Sequence, residues 1–381
     1  MDKRISLYSH WKEVHYYRRL NRFVMEVDED HRAVYLPNTG RMAEFRTTDA
    51  PFFTTPIATA QFTEKIVATR YQDSYVFLDT VKANKLFHLL LDAGCFPEFS
   101  GYKSLRREVQ IVTSRFDFLL EYPEQLPAVI EIKSCTLVHN GVAMFPDAPT
   151  SRGLRHIKDL DSLKNYRTFV VYLVLNARGA SFFPNYHTDP LYGNAFLEAQ
   201  HVQFRAFRVP FSDPVTCDPE AVKEIPISTE HVQKHCKDAG CYLLLLQNNV
   251  AQDIVVGALG KRHFVPGWYL YIGSGKRNLS ARIARHMRKK KPKKWHIDYC
   301  TCGKMTIIQG YPVRTQSDLE QPLVSLFSAI AADSVPDFGA SDSPLPSHFL
   351  YFPDDPRQMP QFWDILLAAM TDTLTRYHQS L

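Results

Sequence analysis

Ser114-Arg115-Phe116-Asp117-Phe118-Leu119-Leu120 and Val129-Ile130-Glu131-Ile132-Lys133 each place charge inside an apolar run. Both runs read as strands, and the loop between them, 121–127, carries Pro123 and Pro127. Side chains alternate along a strand, so Glu131 and Lys133 share a face that Ile132 does not. A hairpin symmetric about Glu124 sets Asp117 directly opposite Glu131, with facing Cβ atoms about 5 Å apart. Two carboxylates that close repel, and one takes up a proton unless a cation is shared. Mg2+ or Mn2+ suits such a pair, since hard cations of this kind take oxygen ligands and keep places for water and phosphate. Lys133 then orients the attacking water or steadies the phosphate charge. The plainer reading is a half-buried strand whose charges face solvent or form a salt bridge. Burying those charges without partners would be costly, which favours a built site.

Outward from this pair, Leu86, Phe87, Leu89, Leu90 and Leu91 predict a helix from Ala83 that ends near Gly94. Further helices are predicted near His156–Asn165 and Leu191–Gln200, with a buried strand at Thr168–Leu175 between them. Strands alternating with helices indicate an α/β domain over 83–227. Residues 1–82 carry short β segments, among them a hairpin of Phe23–Val27 with Ala33–Leu36, and predict a small barrel or sandwich. Residues 212–236, with Pro214, Pro219 and Pro226, read as a linker with a short helix. A third domain covers 228–355, and Gln361–Tyr377, within the tail 356–381, reads as one amphipathic helix.

Charge is unevenly spread. Residues 1–236 hold 28 basic and 28 acidic side chains, whereas 237–381 hold 17 and 12. Within 276–294 there are ten basic residues and no acid: Lys276, Arg277, Arg282, Arg285, Arg288, Lys289, Lys290, Lys291, Lys293 and Lys294. The run fits a polyanion grip or a solvated helix end and lysine-rich loop. Just before it, Gly267-Trp268-Tyr269-Leu270-Tyr271-Ile272-Gly273 reads as an aromatic strand entering a glycine turn. The following helix sets Arg282 and His286 four residues apart, on one face. A cationic helix face beside tyrosines is suited to a phosphodiester, although aromatic packing alone accounts for the same pattern.

The longest apolar run, Phe169 to Leu175, is far too short for a membrane span, and residues 1–4 lack a signal-peptide core. Seven cysteines give no disulfide framework, which fits a reduced cytoplasm. Cys300-Thr301-Cys302 is expected on a strand, and without two close cysteine pairs the thiols read as buried rather than zinc-binding.

Several segments resemble the sugar fermentation stimulation protein A family. They are Pro37-Asn38-Thr39-Gly40, Ala83-Asn84, Gly101-Tyr102, Arg107-Glu108-Val109, Ser114–Leu119, Glu131–Ser134, Phe145-Pro146-Asp147-Ala148, Arg152-Gly153, His156 and Asp189-Pro190, in order over roughly 12–227. The resemblance implies an OB-like barrel followed by a PD-(D/E)xK nuclease-like domain that binds DNA, with Asp117, Glu131 and Lys133 on the nuclease motif. The first helix of such nucleases commonly supplies another acid. Here that helix has none before Asp92, with Glu108 as a substitute. Asp147, Arg152 and His156 are expected along the same cleft, Arg152 on a phosphate; the alternative is that Pro146-Asp147 turns the chain and Thr150 or Ser151 caps the next helix.

Gly240-Cys241-Tyr242 and Tyr271-Ile272-Gly273 resemble the two halves of a GIY-YIG nuclease core, with Cys in place of the usual Ile and an unusually long separation. That resemblance implies catalytic roles for Tyr242, Tyr271, Arg282 and His286 and a metal-binding role for Glu320, which Pro322 follows closely. The expected whole is an α/β multidomain nucleic-acid enzyme, binding DNA or RNA through the barrel and the basic run. Tyr16, Tyr17, Phe23 and Tyr35 are candidates for stacking on bases. The rival expectations are a nuclease-like DNA-binding or regulatory protein without turnover, and an adaptor that docks through its last helix.

Overall fold

The computed structural model describes residues 3–48, 50–339 and 344–374. The chain forms two compact units, 1–233 and 234–381. Among the described residues no helix is long and apolar enough to cross a membrane. Five of the seven thiols are buried, Cys95 and Cys302 are half-buried, and all are free.

The first unit begins with a barrel. Its strands are β1 (Lys12–Arg19), β2 (Val24–Val27), β3 (Arg32–Tyr35), β4 (Pro51–Pro56), β5 (Glu64–Tyr71) and β6 (Ser74–Phe77). They pair in the order β3-β2-β1-β4-β5-β6, and a parallel contact of Tyr35 with Lys65 joins β3 to β5. Five strands thereby close into an OB-fold barrel, filled by Val14, Met25, Val27, Val34, Leu36, Phe52 and Ile66. Sequence patterning found the β2–β3 hairpin; β1 and β4 escaped because charges and prolines interrupt their alternation.

Next come α1 (Ala83–Asp92), β7 (Ser104–Ile111), β8 (Ser114–Glu121), β9 (Ala128–Cys135) and β10 (Val142–Phe145). They are followed by α2 (Ser151–Ser162), β11 (Arg167–Val174), β12 (Ser181–Pro184), α3 (Pro190–Glu198), β13 (Val202–Arg208) and β14 (Lys223–Glu224). The main sheet runs β14-β13-β11-β9-β8-β7, with β9, β11 and β13 parallel and the other pairs antiparallel. Residues read as a linker therefore supply an edge strand. α1 covers one face through Leu86, Phe87 and Leu90 against Phe118, Ile130 and Ile132, and α2 covers the other through Ile157 and Leu160. The α1-side core also takes in Phe53, Val67 and Phe77 from the outside of the barrel. Barrel and sheet thus share one apolar cluster, and Phe77 stacks on Phe211 at 4.8 Å.

The second unit holds β15 (Gly240–Asn248), β16 (Gly267–Gly275), α4 (Leu279–Met287), α5 (His296–Thr301), β17 (Thr306–Arg314), α6 (Glu320–Ile330), β18 (Phe349–Phe352) and α7 (Pro360–Met370). Its antiparallel sheet runs β17-β15-β16-β18 and ends on Asp333–Ser334. A ribbon of Gln252–Val255 with Lys261–Phe264, inserted between β15 and β16, accounts for the long separation of the two half-motifs. Cys300 lies in helix α5, so the strand expected at Cys300–Cys302 is corrected; Asp298 accepts from the backbone N–H of Trp295 and starts that helix. Pro322 falls in the first turn of α6, where its missing N–H costs nothing. Helix α7 buries Phe362, Trp363, Leu366 and Leu367 within this unit, with Phe362 against Tyr311 and Phe327. Residues 375–377 of the predicted tail helix lie outside the described residues.

Inside the first unit, one contact fixes the barrel's 38–42 loop to the central domain. The half-buried Asp147 carboxylate accepts from the Met42 N–H, and Gly40 lies against that carboxylate. A methyl at Gly40 would run into Asp147 and come within 2.9 Å of Asn38 Oδ1. Gly40→Ala is expected to destabilise the first unit by about 1–3 kcal/mol. A thermal melt showing an unchanged midpoint would refute this.

Candidate functional site

The β8–β9 register pairs Ala128 with Leu120, Val129 with Leu119 and Ile130 with Phe118. One more step sets Glu131 opposite Asp117, the facing pair expected from symmetry about Glu124. At that step the backbone ladder gives way to a side chain: Asp117 Oδ2 accepts from the Ile132 N–H at 2.7 Å. On the other side of β8, Arg107 pairs with Phe118 and Val109 with Phe116, and Glu108 between them takes φ +53°. Glu108, Asp117 and Glu131 thus form a row of acids across three neighbouring strands.

Asn84, in the first turn of α1, donates to Asp117 Oδ1 at 2.7 Å and reaches Glu108 Oε1 at 3.3 Å. It stands where an acid was expected, and its link to Asp117 is the contact that residue patterning missed. A single amide at a helix start carries no signal until the strand it faces is known. Glu108 itself is exposed and pairs with Arg115 at 3.0 Å.

Glu131 is buried at 3% exposure. Its Oε1 receives Lys133 Nζ and His156 Nδ1, both at 2.6 Å, while its Oε2 is buried without a partner. Burial alone would raise its pKa, but Lys133 and His156 outweigh it and hold Glu131 below the usual carboxylate range. Asp117 goes the other way. Burial, reinforced by the Glu131 charge, raises it from 3.8 to about 7 despite the Ile132 and Asn84 hydrogen bonds. Asn84, Glu108, Asp117, Glu131 and Lys133 line a cleft of about 610 Å³, which Arg22, Thr39, Asp147 and Arg152 also border. The three other residues expected there divide by role. Arg152 reaches the cleft beside His156 at 3.4 Å, His156 is committed to Glu131, and the Asp147 carboxylate is spent on the 38–42 loop.

In the second unit, Tyr242, Tyr271 and His286 come together in the interior. Tyr242 Oη lies 3.1 Å from His286 Nε2, and the three are 2%, 8% and 1% exposed. Burial pushes both phenols up and the His286 imidazole down to about 4. Arg282 donates to the Ser274 carbonyl at 2.6 Å and lies over Trp295. Glu320 borders a different feature, a cleft of about 550 Å³ that also touches Ser274, Lys276 and His348. There Glu320 Oε1 meets His348 Nδ1 at 3.0 Å.

The basic run is only partly available to a ligand. Arg285 forms a two-pronged pair with buried Asp298, at 3.1 and 2.9 Å. Lys291 Nζ donates to the His286 carbonyl at 2.5 Å, and Lys289 Nζ to that of Met305 at 2.6 Å. Lys276, Arg277, Arg288, Lys290, Lys293 and Lys294 are exposed, the last two over the rings of Tyr299 and Trp295. The counter-acid of this acid-free stretch is Asp298, just beyond its end.

In the barrel, Tyr17 and Phe23 are exposed while Tyr16 is buried and Tyr35 half-buried. Tyr17 already stacks on His31 at 3.6 Å.

Three protein families match the chain: the SfsA N-terminal OB domain at 18–78, the sugar fermentation stimulation protein RE domain at 81–214, and the domain of unknown function DUF123 at 241–370. A sugar fermentation stimulation protein homolog of Moorella thermoacetica is 36% identical over 208 residues, covering 52% of this chain and 89% of the relative. The homolog of Natranaerobius thermophilus is 37% identical over 205 residues, covering 50% and 85%. Among solved structures, SfsA of Pyrococcus furiosus in complex with Ca2+ aligns with TM-score 0.54 and 27% identity, over 59% of this chain and 99% of that one. The chain therefore belongs to the sugar fermentation stimulation protein family and carries a DUF123 domain, GIY-YIG-like, behind the family's two domains.

Proposed function

We propose that this protein is a divalent-metal-dependent nuclease that hydrolyses phosphodiester bonds of DNA or RNA in the cleft of its first unit. The observation that carries the reading is the pair Asp117 and Glu131: facing carboxylates, one raised to about 7 and the other with a buried oxygen lacking a partner. Hard oxygen donors held this close suit Mg2+ or Mn2+, and a relative in complex with Ca2+ is in keeping with such a cation. Asp117 and Glu131 would hold the ion, which supplies charge neutralisation and a more acidic bound water. His156 locks Glu131 in place. Lys133, hydrogen-bonded to Glu131, presents its remaining ammonium protons to a phosphate oxygen or the incoming water. Arg152 borders the same cleft and steadies a neighbouring phosphate.

Labelled single-stranded DNA, duplex DNA and RNA incubated with Mg2+, Mn2+ or EDTA test the reading. Metal-dependent cutting is expected from wild type, with Asp117→Ala slowing it at least about 100-fold while binding persists. Absence of cutting with binding intact would make this a nucleic-acid-binding protein with a nuclease-like fold.

Proton linkage gives a second test. Native Asp117 keeps its proton to about pH 7, whereas in the unfolded chain it ionises near 3.8. The native state therefore binds more protons between these values, so this group makes stability fall as pH rises from 4 to 7 and level above. Asp117→Asn is expected to raise the metal-free melting temperature at pH 8 and leave it nearly unchanged at pH 4. Mn2+ must displace the proton, so its affinity should climb up to tenfold per pH unit below 7 and then flatten. Calorimetry showing a pH-independent affinity would contradict this.

The exposed part of the basic run is proposed as a sequence-independent grip. Arg288→Glu with Lys290→Glu should weaken binding of unrelated oligonucleotides alike and flatten its salt dependence by about 1–2 units of slope. Selective loss for one sequence, or an unchanged slope, would refute the grip.

A further inference from the structure

A second concavity opens beside the acid row. Arg19, Arg22, Arg41 and Arg46 line it, together with Asn21, Thr39, Gly40 and Ala148, and among the described residues no carboxylate does. It shares Arg22, Thr39, Gly40 and Ala148 with the cleft that holds Asp117 and Glu131, so the two are continuous. Arg19 is the scaffold of this groove. Its guanidinium donates to the carbonyls of Asn21, Arg22, Asn38, Gly40 and Arg41 at 2.5–3.1 Å, tying the β1–β2 turn to the 38–42 loop. Among the described residues no carboxylate accepts from it, and burial beside Arg46 lowers its pKa to about 10.

The other arginines are not consumed in this way. Arg22 and Arg41 are exposed, and the Nε of Arg46 is buried with no hydrogen-bond partner. A buried guanidinium N–H left unpaired is costly, and an anion is the ligand that satisfies it. Among the described residues, the acids Asp147 and Glu44 nearby do not neutralise the groove. Asp147 turns its carboxylate to the backbone of the 38–42 loop, and burial raises Glu44 to about 8 so that it stays largely protonated near neutral pH.

We infer that this arginine groove binds a phosphate of the nucleic-acid strand next to the one placed at Asp117 and Glu131. The inference rests on the nuclease reading for the identity of the strand. It adds a direction of travel: the strand passes from the acid row, over Arg22, onto the barrel between the β1–β2 turn and the 38–42 loop. The exposed aromatics of the barrel are not required. The phosphate has two possible sources, an internal diester or a strand terminus, and the groove's chemistry is the same for both.

The test uses the full chain in an Asp117→Asn background, so that no strand is cut. Binding of a fluorescent single-stranded 12-mer is measured against salt for that protein, for Arg22→Glu with Arg41→Glu, and separately for Arg46→Gln. The double variant is expected to bind roughly tenfold or more weakly, with a salt slope shallower by about 1–2. Arg46→Gln should weaken binding in the same direction, and melting temperatures report that each variant folds. A terminal occupant is shown if removing the 5′- or 3′-phosphate of the oligonucleotide costs as much as the double substitution; no such cost assigns an internal diester. Unchanged affinity and slope in folded double variants would overturn the groove. Weakened binding together with a wild type that cuts nothing would keep the groove and remove the nuclease reading.

Discussion

The place where one carboxylate takes over from the backbone governs the first unit. Between β8 and β9 the ladder runs regularly to Ile130 and Phe118, and then Asp117 itself accepts the Ile132 N–H. A side chain that completes a sheet hydrogen bond is held by the sheet, so Asp117 cannot swing away from Glu131. Everything around the pair answers the resulting charge problem. Lys133 and His156 converge on one oxygen of Glu131, Asn84 reaches in from the start of α1, and Asp117 is pushed towards its neutral form. Two acids placed this way are poor packing, since each raises the cost of ionising the other.

Much of this was legible in the sequence because strand geometry is simple. An acid flanked by Phe116 and Phe118, and another flanked by Ile130 and Ile132, fix which side chains share a face. Symmetry about Glu124 then fixes which residues meet. The missing parts depend on non-local contacts. Asn84 joins the site because α1 begins beside β8, and nothing in its local pattern announces that. β7 escapes local patterning because Ser104–Ile111 has no buried residue and carries three charges in a row, Arg106, Arg107 and Glu108, and it gains its place only as an edge strand. Arg19, which organises the barrel loops, is one basic residue in a strand full of them.

The second unit was misjudged locally and read better globally. Six of the nine residues from Gly267 to Gly275 are buried, which fits the aromatic strand. Yet burial also encloses Tyr242, Tyr271 and His286 together and leaves the open cleft to Ser274, Lys276, Glu320 and His348. Counting charges overstated the surface cation in 276–294, because Asp298 lies outside the counted window and draws Arg285 and Lys291 inward. That same aspartate, third residue of helix α5, accepts from the Trp295 N–H at the helix's N-cap, so one residue both neutralises the basic run and caps the helix found where a strand was expected.

The apolar cluster shared by barrel and sheet bears on how the first unit could have been assembled. Phe53, Val67 and Phe77 face out of the barrel and into the core that α1 covers. Residues 18–78 match one family and 81–214 another, yet neither segment buries its own apolar surface alone. Their boundary in the sequence is therefore not a boundary of packing. The two domains share one compact unit, and an exchange of either half between relatives would have to preserve the aromatic contacts along this seam.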